Sequence, residues 1–313
     1  MGIKTGISWC DATWNPWMGC SPVASGCAHC YARREMTRYG RDFSAVTRAK
    51  PSTFNLPLKL APGTRVFVCS WSDFFHEAAD AWRMDAWEIM AKRPDLTFII
   101  PTKRPERMKD SLPWYERVEH TTGTSCAVGR PWSHVWGLVS ASTQPEADVV
   151  IPQLLDTAFS GRGVSLEPLL GAVDLYRGGW SFLERVRSPS GHRHEKLDWV
   201  IVGGESGGPP ERALVERICA CGDCASDHDG RTGRCRMPDD LCHGFEPCRS
   251  FRPSRQWEPK PEALSWVRSL RDQCQAAGVP FHFKQWGGPR PDSAGRLLDG
   301  REWAEDPART EGK

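Results

Sequence analysis

The chain has 313 residues, of which 39% are apolar, 41 are basic and 39 are acidic, so the formal net charge is +2. This near balance excludes a nucleic-acid binder that relies on overall positive charge, although a local basic stripe remains open. Neither a run of about 18 apolar residues nor a secretory leader is found, so we expect a protein of the reducing cytoplasm without a membrane partner.

The first feature along the chain is a group of three cysteines, Cys20, Cys27 and Cys30. In a reducing compartment, clustered cysteines bind metal more often than they form disulfides. Three thiolates on one short loop can hold three irons of a four-iron four-sulfur (4Fe-4S) cluster. They leave the fourth iron open, as a radical S-adenosylmethionine (SAM) enzyme requires. The alternative is a structural zinc site, which would need a fourth ligand such as Cys10 or His29.

Six short apolar segments follow, separated by helical stretches. We predict strands at 65–70, 96–101, 134–140, 163–167, 198–203 and 279–284. We predict helices at 80–92, from 103 onward, at 144–159 and at 261–277, the last from apolar residues at helical spacing. Strands that alternate with helices indicate parallel βαβ units. The predicted fold class is α/β, a partial (βα)6-type barrel whose site lies at the carboxyl ends of the strands.

Polar residues follow these predicted strands, where a barrel would gather them at one rim. They are Ser70, Ser72, Asp73, Thr102, Lys103, Ser140, Ser142, Glu167, Glu205, Ser206, Lys284 and Gln285. An unpaired carboxylate at Glu167 would be costly after an apolar run, which predicts a ligand contact. Glu205 lies in a glycine-rich turn that lets a ligand approach the backbone closely.

A second group of cysteines lies between the last two predicted strands, in a segment rich in Gly, Asp, Pro and Arg. Its members are Cys219, Cys221, Cys224, Cys235, Cys242 and Cys248. Such a segment cannot build an apolar core, so a metal must hold it if it is ordered. We expect a zinc site that uses four of these ligands; an auxiliary iron–sulfur cluster or a disordered loop are the alternatives. Its arginines either contact nucleic acid or form a solvated lid.

These features divide the chain into four parts. Residues 1–210 form the first part of the barrel, and residues 211–257 form a cysteine-rich metal-binding insertion. Residues 258–288 supply the last helix and strand of the barrel. Residues 289–313 form a C-terminal extension, which we expect to be loosely ordered or a surface segment.

Six motifs occur in order along the chain and together resemble a known family. They read SW with TWNP at 8–16, SWSDFF at 70–75, TKRPE at 102–106, SLEPLLG at 165–171, GGESG at 203–207 and FKQW at 283–286. They are similar to motifs of the phage and bacterial three-cysteine-motif family of radical-SAM-like proteins, related to the spore photoproduct lyase group. The resemblance covers about 7–207 and 258–287. One departure is that six residues separate Cys20 from Cys27, where most radical SAM enzymes have three.

The resemblance implies a radical SAM barrel and a role for each residue at the rim. The implied SAM contacts are His29 and Tyr31 with adenine, Ser72 and Asp73 with the ammonium, Lys103 with the carboxylate or a substrate phosphate, Ser140 and Ser142 with the ribose, and Glu167 with ribose or substrate. The implied substrate contacts are Glu205, Lys284 and Gln285. Ser72 could instead cap a helix, and Arg104 is expected to be a surface charge.

We therefore expect an enzyme that reductively cleaves SAM at a 4Fe-4S cluster to form a 5′-deoxyadenosyl radical, fed by an external electron donor. Its expected substrate is a nucleobase or modified pyrimidine in DNA, or a modified nucleotide, which would be rearranged, otherwise modified or repaired. If the chain is phage-encoded, its compartment is the host cytoplasm. Trp9, Trp14 and Trp17 would then either suit a flipped base or serve ordinary packing.

Two alternatives remain open at this point. The first is a non-catalytic zinc-binding protein that binds nucleic acid or a protein partner, with both cysteine groups structural. The second is a radical SAM enzyme that acts on a small metabolite or peptide. The sequence assigns no general acid or base. Cys69 and Cys126 are conceivable hydrogen-atom donors, but a lone cysteine is more often a small buried hydrophobe.

Overall fold

The computed structural model describes residues 5–114, 117–119, 125–127, 130–177, 180–187, 193–209, 212–219 and 253–307. Its centre is a curled sheet of seven parallel strands whose spatial order equals their order in the chain. The strands are β1 (Ala12–Trp14), β2 (Arg65–Val68), β3 (Thr97–Thr102), β4 (Val135–Ser140), β5 (Gly161–Leu166), β6 (Trp199–Gly203) and β7 (Phe281–Gln285). The predicted α/β class is confirmed, and each of the six predicted strands is present.

A barrel implies a strand before the cysteine loop, but no bounds were predicted for β1, because three residues carry too little periodicity to be read as a strand. It pairs with β2 in the register Ala12–Val66 and Trp14–Val68. Within the described residues no pairing joins β1 to β7, so the sheet is a half-barrel. The outer edge of β7 is instead bridged by the C-terminal extension, through His282 and Ala304.

Four helices of eight or more residues are described: α1 (Tyr31–Arg38), α2 (Asp80–Ala91), α3 (Gln144–Leu155) and α4 (Pro261–Ala277). Two four-residue helices span Pro51–Phe54 and Met108–Ser111. Helix α4 has the predicted bounds, with proline at its start and Gly278 in the left-handed conformation (φ 63°) after its end. Helix α3 ends four residues before its predicted end, where the Thr157 hydroxyl donates to the carbonyl of Leu154.

Short strand pairs decorate the half-barrel. They are Trp17–Met18 with Thr47–Arg48, Arg117–Glu119 with Ser125–Ala127, Tyr176–Arg177 with Trp180–Ser181, Val186–Arg187 with Arg193–His194, Val215–Cys219 with Pro253–Pro259, and Leu297–Leu298 with Arg301–Glu302. We call the antiparallel pair Val215–Cys219 with Pro253–Pro259 the insert ribbon. It borders the predicted metal-binding insertion; except for Cys219, the cysteines of that insertion lie outside the described residues.

Each face of the sheet is covered by apolar side chains. Residues such as Val66, Phe98 and Val200 pack against the helices in the main core. On the opposite, inner face, Trp9 joins Ile99, Leu138, Trp199 and Ile201 in a second cluster. Burial at about 25 cal/mol per Å² makes these clusters the main source of stability.

The three N-terminal tryptophans serve packing. Trp9, Trp14 and Trp17 are 3%, 0% and 0% exposed. The indole nitrogens of Trp14 and Trp17 donate to the backbone carbonyls of Phe54 and Asp73. Of the two readings that the sequence left open for these rings, ordinary packing is the one that the structure has.

The C-terminal extension is packed on the half-barrel up to residue 307, so of the two expected forms, loosely ordered or a surface segment, the structure has the surface segment. Leu298 is fully buried, and the carbonyl of Trp303 accepts a hydrogen bond from Phe283 N at 2.8 Å. Asp306 then forms a buried ion pair with Arg65 at the start of β2. The extension therefore runs from the β7 edge to β2, because two apolar side chains and one carboxylate find buried partners there. No helix in the described parts of the chain is long and apolar enough to cross a membrane.

Candidate functional site at the carboxyl ends of the strands

The segment that carries the three cysteines, residues 19–30, is called the cysteine loop below. It leaves β1 and lies over the carboxyl ends of the strands. The backbone nitrogen of Gly19 donates to the carbonyl of Trp71 at 3.1 Å, and the Ser72 hydroxyl donates to the carbonyl of Gly19 at 2.6 Å. Ser72 therefore anchors the loop next to Cys20, and it does not serve as a helix cap.

Backbone hydrogen bonds fold the end of the cysteine loop into a tight turn. Cys27 N donates to the carbonyl of Ala24 at 3.0 Å, and Cys30 N donates to the carbonyl of Cys27 at 3.3 Å. The three cysteines are free and partly exposed. Burial raises the pKa of Cys20 to about 11; Asp73 adds to that rise, whereas Arg104 opposes it.

Arg104 is buried, with 3% of its surface exposed, so the expectation of a surface charge is wrong. Its guanidinium contacts the Cys20 sulfur at 3.5 Å and donates to the hydroxyl and carbonyl of Ser21 at 2.7 and 2.9 Å. It also lies 3.7 Å from the Asp73 carboxylate. Burial of this cation is possible because a carboxylate and three other acceptor atoms surround it.

The Asp73 carboxylate is almost fully used by donors of the protein itself. One oxygen accepts from the Thr102 hydroxyl at 2.7 Å and from Phe75 N at 2.9 Å. The other accepts from Lys103 N at 2.9 Å. These contacts favour a structural anchor that joins β2, β3 and the cysteine loop over a free carboxylate, so its contact with a SAM ammonium stays a prediction.

A second anchor fixes the middle of the cysteine loop. The two oxygens of Glu146 accept from Ser25 N at 2.8 Å and from Ser142 N at 2.7 Å. Burial acts to raise the pKa of Glu146, but these hydrogen bonds and the charge of Lys103 outweigh it, so the pKa is lowered. Sequence reasoning missed Glu146, because its position at the start of a predicted helix is typical of an ordinary first-turn carboxylate.

The packing around Gly26 contains a buried polar atom without a partner. The Ser142 hydroxyl has no hydrogen-bond partner, although Ser142 is only 1% exposed. A Cβ atom added to Gly26 would lie 2.6 Å from that hydroxyl, 3.3 Å from Pro168 and 3.4 Å from Lys103. The cysteine loop thus lies directly against the ends of β3 and β4. The unsatisfied hydroxyl of Ser142, just after β4, lies under it.

Glu167 and Lys284, predicted as ligand contacts, form an ion pair with each other. Their charged atoms are 2.9 Å apart, and the Ser165 hydroxyl also donates to Glu167 at 3.2 Å. Both side chains remain partly exposed, at 15% and 27%. Glu167 is thus not the unpaired carboxylate that the sequence suggested, and a ligand would have to share or displace this pair.

Tyr31 faces the same interior. Its hydroxyl donates to the carbonyl of Ser70 at 2.5 Å, although 46% of the residue surface is exposed. Burial raises the pKa of the Tyr31 hydroxyl, and the charges of Cys30 and Glu167 add to the rise. The ring can therefore offer an apolar face to a ligand while its hydroxyl is held by the protein.

Two arginines that sequence reasoning missed join the glycine-rich turn after β6 to the cysteine loop and to helix α1. Arg212 pairs with Glu205 at 2.6 Å and reaches the Ser25 carbonyl at 3.5 Å. Arg34, on α1, donates to the carbonyl of Gly207 at 2.9 Å. No sequence signal distinguishes these arginines from surface charges, because the contacts of Arg212 with Ser25 and of Arg34 with Gly207 each join residues more than 150 positions apart.

The remaining predicted residues are distributed around this rim. Gln285 is buried and donates to the Ser206 hydroxyl at 2.9 Å and to the carbonyl of Gly204 at 3.3 Å. Ser140 is buried at the end of β4, whereas His29 is exposed. Cys69 is buried with a positive φ of 65°, and burial raises its pKa. The side chain of Cys126 lies outside the described residues.

The cysteine loop fits metal ligation in its chemistry but not in its side-chain positions. Three free thiols lie within one short loop, beside a buried guanidinium and above an unpartnered hydroxyl. Among the described residues, however, no three His, Cys, Asp or Glu side chains are placed to hold a metal ion. The fit to a cluster therefore rests on the donor set of three thiols.

The chain was compared with known proteins. The comparisons with curated proteins and with solved structures give no match. A family model described as "Protein of unknown function (DUF5131)" matches residues 4–217 and 257–307, so it omits the 218–256 stretch that holds the second group of cysteines. Since this match covers well over half of the chain, the protein belongs to the DUF5131 family.

Proposed function

We propose that the protein is a radical SAM enzyme that uses the cysteine loop to hold a 4Fe-4S cluster. The observation that carries the proposal is the position of three free thiols over the carboxyl ends of a parallel half-barrel. This is the end of an α/β barrel at which active sites lie. When bound, the cluster would supply the electron that cleaves SAM to methionine and a 5′-deoxyadenosyl radical.

The residues of the chain would bind and orient SAM around that loop. Cys20, Cys27 and Cys30 would hold the cluster, leaving one iron open. Tyr31 would offer its exposed ring to adenine, as would His29, which is exposed on the loop. Ser140 and Ser142 would contact the ribose; the unpartnered Ser142 hydroxyl is buried under Gly26, so the cysteine loop would have to move for a ribose oxygen to reach it. The Lys103 ammonium suits the SAM carboxylate or a substrate phosphate.

The substrate would lie at the ion pair of Glu167 and Lys284 and at the turn that holds Glu205, which Arg212 joins to the cysteine loop. On the resemblance noted above, we propose a nucleobase or modified pyrimidine in DNA. We also propose a cytoplasmic protein, a second metal in the insertion at 211–257, and an external one-electron donor. The chain's own task is to hold the target C–H bond and to exclude water, which the packed glycine turn after β6 would support.

The test is anaerobic reconstitution with iron and sulfide, followed by the visible spectrum and an assay for 5′-deoxyadenosine after reduction in the presence of SAM. We expect broad thiolate-to-iron absorbance and 5′-deoxyadenosine formation in the wild type, and loss of both in Cys27→Ala. The matched control is Cys274→Ala, which removes a buried cysteine of α4. It should keep both signals.

A colourless protein that binds only zinc and leaves SAM intact would contradict the proposal and support a zinc-binding protein. If the enzyme is active, its substrate is found by the transfer of deuterium into 5′-deoxyadenosine. Transfer from deuterated nucleotides or DNA supports the proposed substrate. Transfer only from a small metabolite or a peptide would contradict that part and leave the radical chemistry in place.

A further inference from the structure

Arg104 differs from the other groups near the cysteine loop, because it is a buried cation in direct contact with one of the thiols. Its guanidinium lies 3.5 Å from the Cys20 sulfur and is 3% exposed. The same guanidinium donates to both oxygens of Ser21, which fixes its position relative to the loop. In the described part of the chain, Cys20 is the only one of the three thiols with a hydrogen bond from an arginine.

The charges around Arg104 are arranged asymmetrically. Asp73, which is 7% exposed, lies 3.7 Å from Arg104, and Glu77 lies at the same distance but is 58% exposed. Solvent screens Glu77, whereas the buried pair is screened little. Arg104 therefore neutralises a buried carboxylate beside Cys20 and also places a donor on the sulfur. Its removal would leave Asp73 as an uncompensated negative charge close to the thiolate.

We infer that Arg104 raises the reduction potential of the cluster held by Cys20, Cys27 and Cys30; this inference rests on the proposed function. Reduction of a bound cluster would add one negative charge to it. A nearby buried cation and a hydrogen bond to a ligating sulfur would both stabilise the reduced form relative to the oxidised form. Arg104 would thus act through the ligand Cys20 and make the cluster easier to reduce by the one-electron donor.

The inference is tested by redox titration of the reconstituted full-length protein with dithionite, a one-electron reductant, followed by electron paramagnetic resonance. In Arg104→Gln we expect the ratio of reduced to oxidised cluster at a fixed potential to fall at least tenfold, which corresponds to about 59 mV. In Arg104→Lys, which keeps the charge, the ratio of reduced to oxidised cluster should fall less. The matched control is Arg107→Gln, since Arg107 pairs with Asp80 and the Phe75 carbonyl; its ratio should stay within twofold.

A double variant separates charge from folding. Arg104→Gln alone leaves Asp73 buried without its cation and could prevent folding. Asp73→Asn with Arg104→Gln removes both charges, so the ratio should return most of the way to that of the wild type. If the ratio of reduced to oxidised cluster falls as far in the double variant as in Arg104→Gln, the electrostatic explanation is overturned.

The failure of this inference can be told from the failure of the proposed function. If the wild type holds an iron–sulfur cluster and Arg104→Gln keeps the ratio within twofold, the inference is overturned and the function stands. If the wild type holds no iron–sulfur cluster, both are overturned. Circular dichroism of each variant shows whether a lost signal reflects a lost fold.

Discussion

At the residue scale, Gly26 determines how closely the cysteine loop can lie against the sheet. Its backbone touches the ends of β3 and β4 at a distance that leaves no room for a side chain. The nearest atom is the hydroxyl of Ser142, which is buried and without a partner. The loop that carries Cys27 is therefore held by steric fit as well as by the carboxylate of Glu146.

We predict that Gly26→Ala displaces the cysteine loop, because the new Cβ would lie 2.6 Å from the Ser142 hydroxyl. The expected loss of unfolding free energy is about 1 to 3 kcal/mol, the usual cost of overpacking. Urea unfolding measures it, and iron content after reconstitution should fall in parallel. Gly171→Ala, at a glycine with open space around it, is the control, and Ser142→Ala added to Gly26→Ala should recover most of the loss. Equal stability of Gly26→Ala and wild type would show that the loop is not packed as described.

A second residue-scale feature is the buried histidine of β7. Burial lowers the pKa of His282 to about 4, from an ordinary value of 6.5; Arg65 and Lys284 lower it further, while Glu167 and Asp306 oppose them. One ring nitrogen is 2.8 Å from the Ser8 hydroxyl, and the other is buried without a partner. The ring is therefore neutral in the folded protein at physiological pH.

His282 predicts a loss of stability in acid. Because the unfolded chain binds the proton near pH 6.5 and the folded chain only near pH 4, stability falls as the pH drops through that interval. Between pH 7 and pH 5 the contribution of His282 is about 2 kcal/mol. Urea unfolding gives the difference in unfolding free energy between pH 7 and pH 5. That difference should be smaller in His282→Gln than in the wild type by about 2 kcal/mol. An identical difference would mean that His282 titrates normally in the folded state.

At the scale of elements, the half-barrel is held together at its open side by segments from the two ends of the described chain. The Arg65 guanidinium, at the start of β2, donates to both carboxylate oxygens of Asp11 on the N-terminal side. It also forms an ion pair with Asp306 of the C-terminal extension. Arg65 and Asp306 are 7% and 6% exposed, so this contact lies in a weakly screened environment. The extension is consequently part of the fold.

We predict that Asp306→Asn lowers the unfolding free energy by about 2 to 3 kcal/mol, because it removes one partner of a buried ion pair while Asp11 still pairs with Arg65. The matched control is Asp299→Asn. Asp299 pairs with Arg268 and Arg271 at the surface and should cost about 1 kcal/mol or less. Thermal or urea unfolding compares the two. A larger loss for Asp299→Asn would contradict the described packing of the extension.

At the scale of the whole molecule, the insert ribbon brings together the two chain positions that flank residues 220–252. Cys219 and Pro253 face each other as a register pair in this two-stranded ribbon. The base of the ribbon lies close to the site, since Arg212 just before it contacts Glu205 and the cysteine loop. Residues 219 and 253 are therefore close enough for a short turn to connect them.

We predict that residues 220–252 can be replaced by an Asn-Gly turn without loss of the half-barrel, because two residues suffice to connect antiparallel strands. The melting temperature should change by less than about 4 °C, which corresponds to about 1 kcal/mol for a chain of this size. If the insertion and the cysteine loop hold the metals proposed for them, metal analysis should show loss of the first metal and retention of iron. Aggregation or a much lower melting temperature would show that the insertion belongs to the core.

The sequence by itself determined six of the seven strands of the sheet and the bounds of helix α4. The β-branched and aromatic runs placed six strands, the proline and glycine at its two ends placed α4, and the spacing of Cys20, Cys27 and Cys30 marked the loop at the rim. Each of these depends on neighbours in the chain, whose periodicity and conformational preferences can be read directly. The set of polar residues at the strand ends could be predicted for the same reason.

Only the tertiary structure decided which of those residues are paired with each other. Arg104 and Ser21 are 83 positions apart, so nothing in the neighbouring sequence shows that Arg104 is buried. Glu167 and Lys284 are still further apart, so nothing local shows that they form an ion pair. The packing of Leu298 and Trp303 likewise depends on surfaces from distant strands. Burial and pairing of charges depend on which side chains meet in space, because desolvation is offset only by partners that the fold brings together.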